Sequence, residues 1–292
     1  MGDVNMKITT LIENTQDKDE KLKNEHGLSM FIEGNNCNVL FDTGKTGDFI
    51  ENAKKLNIDL KKTDILVLSH AHYDHCGGVK RLLETYDIKP KLVVSKHFFN
   101  RTDKYHYSDG SLKSDFSKEP GYAYIGTDFD KKYVEDKGIR IESLEKDVLE
   151  ICDNVFVCSN FNKYYDFEKV NPNMQRKVND EYIIDTFDEE VALGIKTKKG
   201  LVILLGCAHP GFLNMVKTIE ERTNEKIVGI IGGTHLIEAD DERIKKSVDY
   251  LNKSGVELLG LSHCTGEKAV EIFNKECKTS FTNRTGTIVE LD

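Results

Sequence analysis

Residues 64–78 read DILVLSHAHYDHCGG. The opening residues are an apolar run of the kind that forms a buried strand, and the histidines begin where that run stops. Three imidazoles, His70, His72 and His75, and the carboxylate of Asp74 then crowd into a single short stretch. Imidazole and carboxylate are the ligands that zinc, iron and manganese accept, at roughly 2.0–2.2 Å for zinc. A strand emerging from a sheet delivers its loop to a rim. A tight loop there turns His70 and His72 toward one ion and Asp74 and His75 toward another, after which Cys76-Gly77-Gly78 lets the backbone bend away.

Outward from this stretch the chain alternates strand and helix. Met6 to Glu13, Leu28 to Glu33 and Asn38 to Phe41 are short apolar runs broken by Gly34-Asn35-Asn36, which is hairpin punctuation. Phe49, Ile50, Ala53 and Leu56 recur at helical spacing before the strand Ile65 to Leu68. Val79, Leu82 and Leu83 predict a short helix after the metal loop, and Leu92 to Val94 the next strand. From about 97 to 146 the periodicity fails, with Gly110, Pro120-Gly121 and Gly126 interrupting a charged and aromatic stretch, which predicts an insertion. Its Tyr105, Tyr107, Phe116, Tyr122 and Tyr124 read first as a small local core, and as rings able to stack on a flat heterocycle. His97 and His106 read as solvated or locally hydrogen-bonded.

The second half repeats the plan. Val191 to Ile195 and Leu201 to Leu205 predict a hairpin, Phe212 to Ile219 a helix, and Ile227 to Ile231 a strand. A helix through Ile244, Val248 and Leu251 precedes the strand Val256 to Leu261, a helix through Ala269, Ile272 and Phe273 and a closing strand near Thr287 to Leu291. Two halves, about 1–96 and 147–292, each a sheet covered by helices, predict one α/β domain built as a four-layer αββα sandwich.

Bulk properties narrow the function classes. A chain of 292 residues with 38% hydrophobic side chains can fill a sizeable core. No stretch approaches the roughly 18 uninterrupted apolar residues of a membrane span, and no basic-then-apolar signal opens the chain. These features predict a cytoplasmic protein without a membrane partner. A formal charge of −9 argues against a nonspecific nucleic-acid binder, so the expected partner is a small-molecule substrate, with a homo-oligomer left open. Cys37, Cys76, Cys152, Cys158, Cys207, Cys264 and Cys277 are scattered singly, which predicts reduced thiols rather than a stapled scaffold. Cys76, Cys207 and Cys264 adjoin candidate ligands.

The string HAHYDH resembles the HxHxDH signature of the metallo-β-lactamase superfamily, whose members place metals between the sheets of an αββα sandwich. Residues Phe41-Asp42-Thr43-Gly44 resemble the family's first motif, implying that Asp42 supports the metal loop from behind. Glu25-His-Gly-Leu-Ser29, Gly206-Cys-Ala-His-Pro-Gly211, Ile231-Gly-Gly-Thr-His-Leu236 and Ser262-His-Cys-Thr-Gly266 resemble a narrower subfamily of metal-dependent hydrolases and of synthases of a dihydropterin-methyl-(ribofuranosyl)aminobenzene phosphate. The resemblance implies one metal on His70, His72 and a second-half histidine, for which His209 is the candidate, and another on Asp74, His75 and His263. Many relatives carry a bridging aspartate where this chain has Gly206-Cys207-Ala208-His209, so the bridge is Cys207, a water or absent, and the metals number one or two. His235 is a candidate ligand, proton-transfer group or phosphate contact. His26 is a candidate substrate contact or a turn residue.

Zinc is the first expectation for the metal, with iron and manganese accepting the same ligands. The chemistry implied is hydrolysis, with Asp74 orienting the nucleophile, or a dihydropteroate-synthase-like transfer to a phosphorylated or heterocyclic substrate. A superfamily phosphodiesterase or nuclease and a non-catalytic metal sensor are the alternatives. A flavodiiron reductase is disfavoured, because it usually has glutamate where this chain has His72.

Overall fold

The computed structural model describes residues 6–110 and 120–292; Phe116 therefore lies outside the described residues. Among these, the first half of the chain and its closing strand build a seven-stranded sheet ordered β17-β1-β2-β3-β4-β5-β8. Its strands are β1 Met6–Ile12, β2 Ser29–Glu33, β3 Asn38–Phe41, β4 Ile65–Val67, β5 Lys91–Ser95, β8 Ile141–Leu144 and the closing β17 Ile288–Leu291. The second sheet has six strands, β16-β15-β14-β13-β10-β9, formed by β9 Val148–Cys152, β10 Val155–Cys158, β13 Ala192–Lys196, β14 Leu201–Leu205, β15 Ile227–Gly232 and β16 Leu258–Leu261.

Alternation along the strands sorts side chains into layers. In β3, Val39 and Phe41 enter the core between the sheets while Leu40 faces the outer helices. In β14, Val202 and Leu204 face inward, and Leu201, Ile203 and Leu205 face outward. Each such fully buried side chain contributes about 1.5–3 kcal/mol, which sets the register of both sheets. Helices α1 Phe49–Lys55 and α3 Val79–Thr85 cover the first sheet, and α5 Phe212–Thr223, α6 Asp241–Ser254 and α7 Glu267–Glu276 the second. Helix α6 shows why these segments are helical. Ile244, Val248 and Leu251 bury one stripe, Asp240 caps the first turn by accepting from Arg243 N at 2.8 Å, and Gly255 ends it with φ of 76°. The result is the αββα sandwich.

The stretch 97–146 is divided in the structure rather than standing apart. Its last strand, β8, pairs in parallel with β5 and completes the first sheet, preceded by helix α4 Lys131–Asp136. Its other strands, β6 Lys104–Ser108 and β7 Gly121–Tyr124, join β11 Met174–Val178 and β12 Glu181–Ile184 in a separate four-stranded sheet. The aromatic rings stack on one another there, Tyr122 lying on Tyr182 at 3.6 Å and Tyr105 meeting Tyr124 at 5.4 Å. No helix among the described residues is long and apolar enough to cross a membrane, and all seven cysteines are unbridged.

Strands β3, β4 and β5 are parallel, as are β14, β15 and β16. Their carboxyl ends reach one rim of the crevice between the sheets, and the loops that follow carry the histidines.

Candidate metal centre

Four of these rim loops hold a non-glycine residue in the left-handed region: Asp42 after β3, Ala208 after β14, His235 after β15 and His263 near the end of β16. Such backbone is uncommon and persists where the surroundings over-determine it. The histidine motif follows β4, and its second part is a short helix, α2 Tyr73–Cys76, rather than a simple loop. His70 thus lies in a bend and His72 in extended chain, while Asp74 and His75 belong to a helical turn.

His70, His72 and His209 form the first cluster. The His70 and His72 ring centres are each 4.9 Å from that of His209. All three side chains are buried, and their Nε2 atoms have no hydrogen-bond partner among the described residues. Burial, reinforced by neighbouring positive charge, holds all three imidazoles neutral, well below the usual histidine range. Buried nitrogens without a partner are costly to leave unsatisfied and are donors that a divalent ion takes; the ligand atoms of His70 and His209 lie within 4.8 Å of each other and of Cys207 Sγ, with the His72 ring alongside.

Asp74, His75 and His263 form the second cluster. His75 Nε2 is 3.1 Å from His263 Nε2, and Asp74 Oδ2 is 3.3 Å from the same nitrogen. Two imidazole nitrogens at that distance share one proton in the metal-free protein. Burial opposes a charge on His75, but Asp42 and Asp74 together outweigh it and raise it to about 9. Burial takes His263 the other way, down to about 3. Cys207 Sγ lies 3.1 Å from His75 Nε2. It falls within ligand distance of both clusters, grouped with His70 and His209 on one side and His75 and His263 on the other. Cys76 and Cys264 instead donate to the backbone oxygens of His70 and Cys207.

Asp42 braces the motif from behind. Its Oδ1 accepts from Ser69 N and its Oδ2 from Ser69 Oγ, both at 2.7 Å, and Oδ2 is 2.7 Å from His75 Nδ1. Ser69 Oγ in turn reaches His70 Nδ1 at 2.8 Å, so one carboxylate orients both rings. Gly206 must be glycine for this to fit, because a Cβ there would collide with Ser69 Oγ and approach Asp42. His26 sits at the edge, its Nε2 3.2 Å from Asp74 Oδ2. His235 adjoins the first cluster, 4.3 Å from the His209 ring, and burial first, then Arg243, pushes it down to about 4. It also lines a cavity of about 580 Å³ with Phe167, Lys169, Asn171, Arg243 and Lys246. His97 and His106 stay outside both clusters.

Sequence reasoning missed the residues that hold His209. Glu190 accepts from the backbone N–H groups of Ala208 and His209, the latter at 2.9 Å. Phe187 stacks on His209, and buried Lys104, paired with Asp185 and Glu189, sits 4.3 Å over the other side of Phe187. The available signal was the pair Glu189-Glu190 set directly against the apolar run beginning at Val191. Acids at the mouth of a buried strand call for partners.

A family model described as the metallo-beta-lactamase superfamily matches residues 23–151. The 7,8-dihydropterin-6-methyl-4-(beta-D-ribofuranosyl)-aminobenzene-5'-phosphate synthase of Methanocaldococcus jannaschii is 33% identical, over 95% of this chain and 93% of its own. The crystal structure of a metal-dependent hydrolase of the beta-lactamase superfamily superposes with a TM-score of 0.79 at 31% identity, covering 98% of this chain and 99% of that one. Zinc-bound PqqB from Methylobacterium extorquens, 10% identical, shares the fold with a TM-score of 0.60, over 98% and 100% of the two chains. Identity of this extent along nearly the whole chain, together with the αββα sandwich and the histidine loop at its rim, means that the chain belongs to the metallo-β-lactamase superfamily.

Proposed function

We propose that the protein is a metal-dependent enzyme that joins a dihydropterin to a ribofuranosylaminobenzene phosphate, by a reaction of the dihydropteroate synthase type. The observation that carries this reading is the 33% identity with the archaeal synthase over 95% of this chain, joined to the two histidine clusters. The cavity beside His235 is of mixed charge: Lys169, Arg243 and Lys246 line it together with Asp166, Glu238, Asp240 and Glu242, and Arg243 is paired with Glu168 and Lys246 with Glu242. Its Phe167 ring and Asn171 amide suit a flat heterocycle. The whole-length likeness to the archaeal synthase supports the same substrate class.

His70, His72 and His209 would hold one divalent ion, and Asp74, His75 and His263 another, with Cys207 between; zinc suits the imidazole-rich set. When bound, the ions supply the positive charge against which a phosphorylated leaving group can separate. In the transfer, the amine nitrogen of the aminobenzene forms a bond to the 6-methylene carbon of the dihydropterin. The carbon–oxygen bond to the diphosphate breaks, its electron pair leaves with the oxygen, and the N–H proton that the nitrogen sheds goes to the departing diphosphate. Asp74, which the charge on His75 and the hydrogen bond from His26 hold ionised against the effect of burial, orients the amine by accepting its N–H. His235, neutral at the cavity wall, contacts the leaving oxygens.

The likeness to a solved metal-dependent hydrolase supports a second reading, hydrolysis of a phosphorylated substrate at the same site. One experiment separates them. Metal-loaded protein is incubated with the diphosphate ester of 6-hydroxymethyl-dihydropterin and 4-(β-D-ribofuranosyl)aminobenzene 5'-phosphate, and products are resolved by mass. The conjugate is expected, and His70→Ala abolishes it. Release of hydroxymethylpterin without conjugate favours the hydrolase, and no metal-dependent turnover of either kind ends both readings.

A further inference from the structure

Asn14 follows β1 at the edge of the site and touches two imidazoles at once. Its Oδ1 accepts from the backbone N–H of Gly27 at 3.2 Å. A backbone N–H only donates, so this contact assigns which end of the amide is oxygen. The same Oδ1 is 2.8 Å from His263 Nδ1, which must carry a proton. His263 Nε2 is then bare, and Nε2 is the atom that faces Asp74 and His75. The other end of the amide, Nδ2, is 3.2 Å from His26 Nδ1. An amide nitrogen only donates, so His26 Nδ1 is bare and its proton sits on Nε2, against Asp74 Oδ2.

We propose that Asn14 is a positioning residue that sorts two neighbouring histidines into opposite tautomers, making His263 a ligand and His26 a proton-bearing donor that holds Asp74 from outside the metal site. His26, Asp74 and His263 lie close enough together to resemble a third metal site. The tautomer removes His26 from it, because the nitrogen that points inward has no lone pair to give. The assignment also separates chemically two rings whose centres are only 5.1 Å apart. Glu13 adds to the same turn by accepting from His263 N at 3.1 Å, so the Glu13-Asn14 pair fixes the His263 loop from its backbone and its ring together. The His26 side chain is about one-third exposed, which places the donor where substrate meets Asp74. The inference rests on the metal-centre reading, in which His263 and Asp74 are ligands.

Three measurements test it. Histidine-selective ¹⁵N NMR of the metal-free protein should show His26 with its proton on Nε2 and His263 with its proton on Nδ1; the reverse for His26 overturns the proposal. Zinc content by elemental analysis should be the same in His26→Leu as in the unmodified chain, with turnover reduced about 10- to 100-fold and partly recovered in His26→Gln, whose amide keeps a donor at the far position. Loss of one zinc per chain in His26→Leu would mean that His26 is a ligand, and overturns it. In Asn14→Asp a second acceptor replaces the amide donor, so His26 should gain a proton on Nδ1 while Nε2 keeps the one that faces Asp74; an unchanged His26 spectrum in that variant also overturns it. The spectra read the tautomers whether or not metal binds. An unmodified chain that takes up no zinc would therefore count against the metal centre alone.

Discussion

Phe187 lies flat against the His209 imidazole, ring centres 3.9 Å apart and planes within 12°. The stack fixes the rotation of a ring whose Nε2 has no hydrogen-bond partner among the described residues. Lys104 sits over the opposite side of Phe187, so the buried cation, the phenyl ring and the imidazole form one column. Removing the middle of that column should be felt at both ends. Phe187→Ala is expected to cost about 3–5 kcal/mol of stability and to weaken zinc binding at least tenfold. Denaturant unfolding and chelator competition measure the two effects; unchanged zinc affinity would mean that the stack does not orient His209.

Glu190 acts on the same histidine through its backbone. Burial raises its carboxyl to about 8 despite the two N–H groups it accepts from. Glu190→Gln replaces one accepting oxygen with a donor that faces an N–H group. A loss of about 1–3 kcal/mol is expected, with a parallel fall in zinc affinity, while Glu190→Leu should be worse. Equal stability of all three proteins in thermal unfolding would contradict the contact.

Asp42 orients His75 and, through Ser69, His70. Asp42→Asn keeps the shape and removes the charge. Zinc affinity should fall about 10- to 100-fold, measured by competition with a calibrated chelator, and the fall should be seen in both zinc equivalents.

The pH dependence follows from His75, raised to about 9 in the metal-free protein with burial opposing and Asp42 and Asp74 prevailing. Zinc must displace that proton. Apparent affinity should therefore rise about tenfold per pH unit up to about 9 and then level off. The apo-protein moves the other way. A folded-state value above the ordinary 6.5 stabilises fully below pH 6.5, and that contribution, about 3 kcal/mol, is lost as the pH climbs to about 9. Titration calorimetry in several buffers and chelated-protein melts at pH 6.5 and 9 check the two slopes.

What was legible in the sequence is what is local. The apolar runs place β3 and β14 to the residue, and the HxHxDH string follows directly on the apolar run that forms β4. Contacts between distant segments were not legible. Asn14 meets His263 across 249 positions and Glu190 meets Ala208 and His209 across a hairpin, and neither partner is implied by its neighbours. The third sheet was hidden for the same reason. Strands β6 and β7 look like an unfinished insertion until β11, itself paired with β12, arrives from beyond residue 170 to pair with β6.

Anomalous diffraction from zinc-loaded crystals is the most direct test of the metal centre. Two peaks are predicted, one among His70, His72 and His209 and the other among Asp74, His75 and His263, on either side of the Cys207 sulfur. Zinc-loaded crystals with no peak at either cluster, or with peaks only at other residues, would contradict the account.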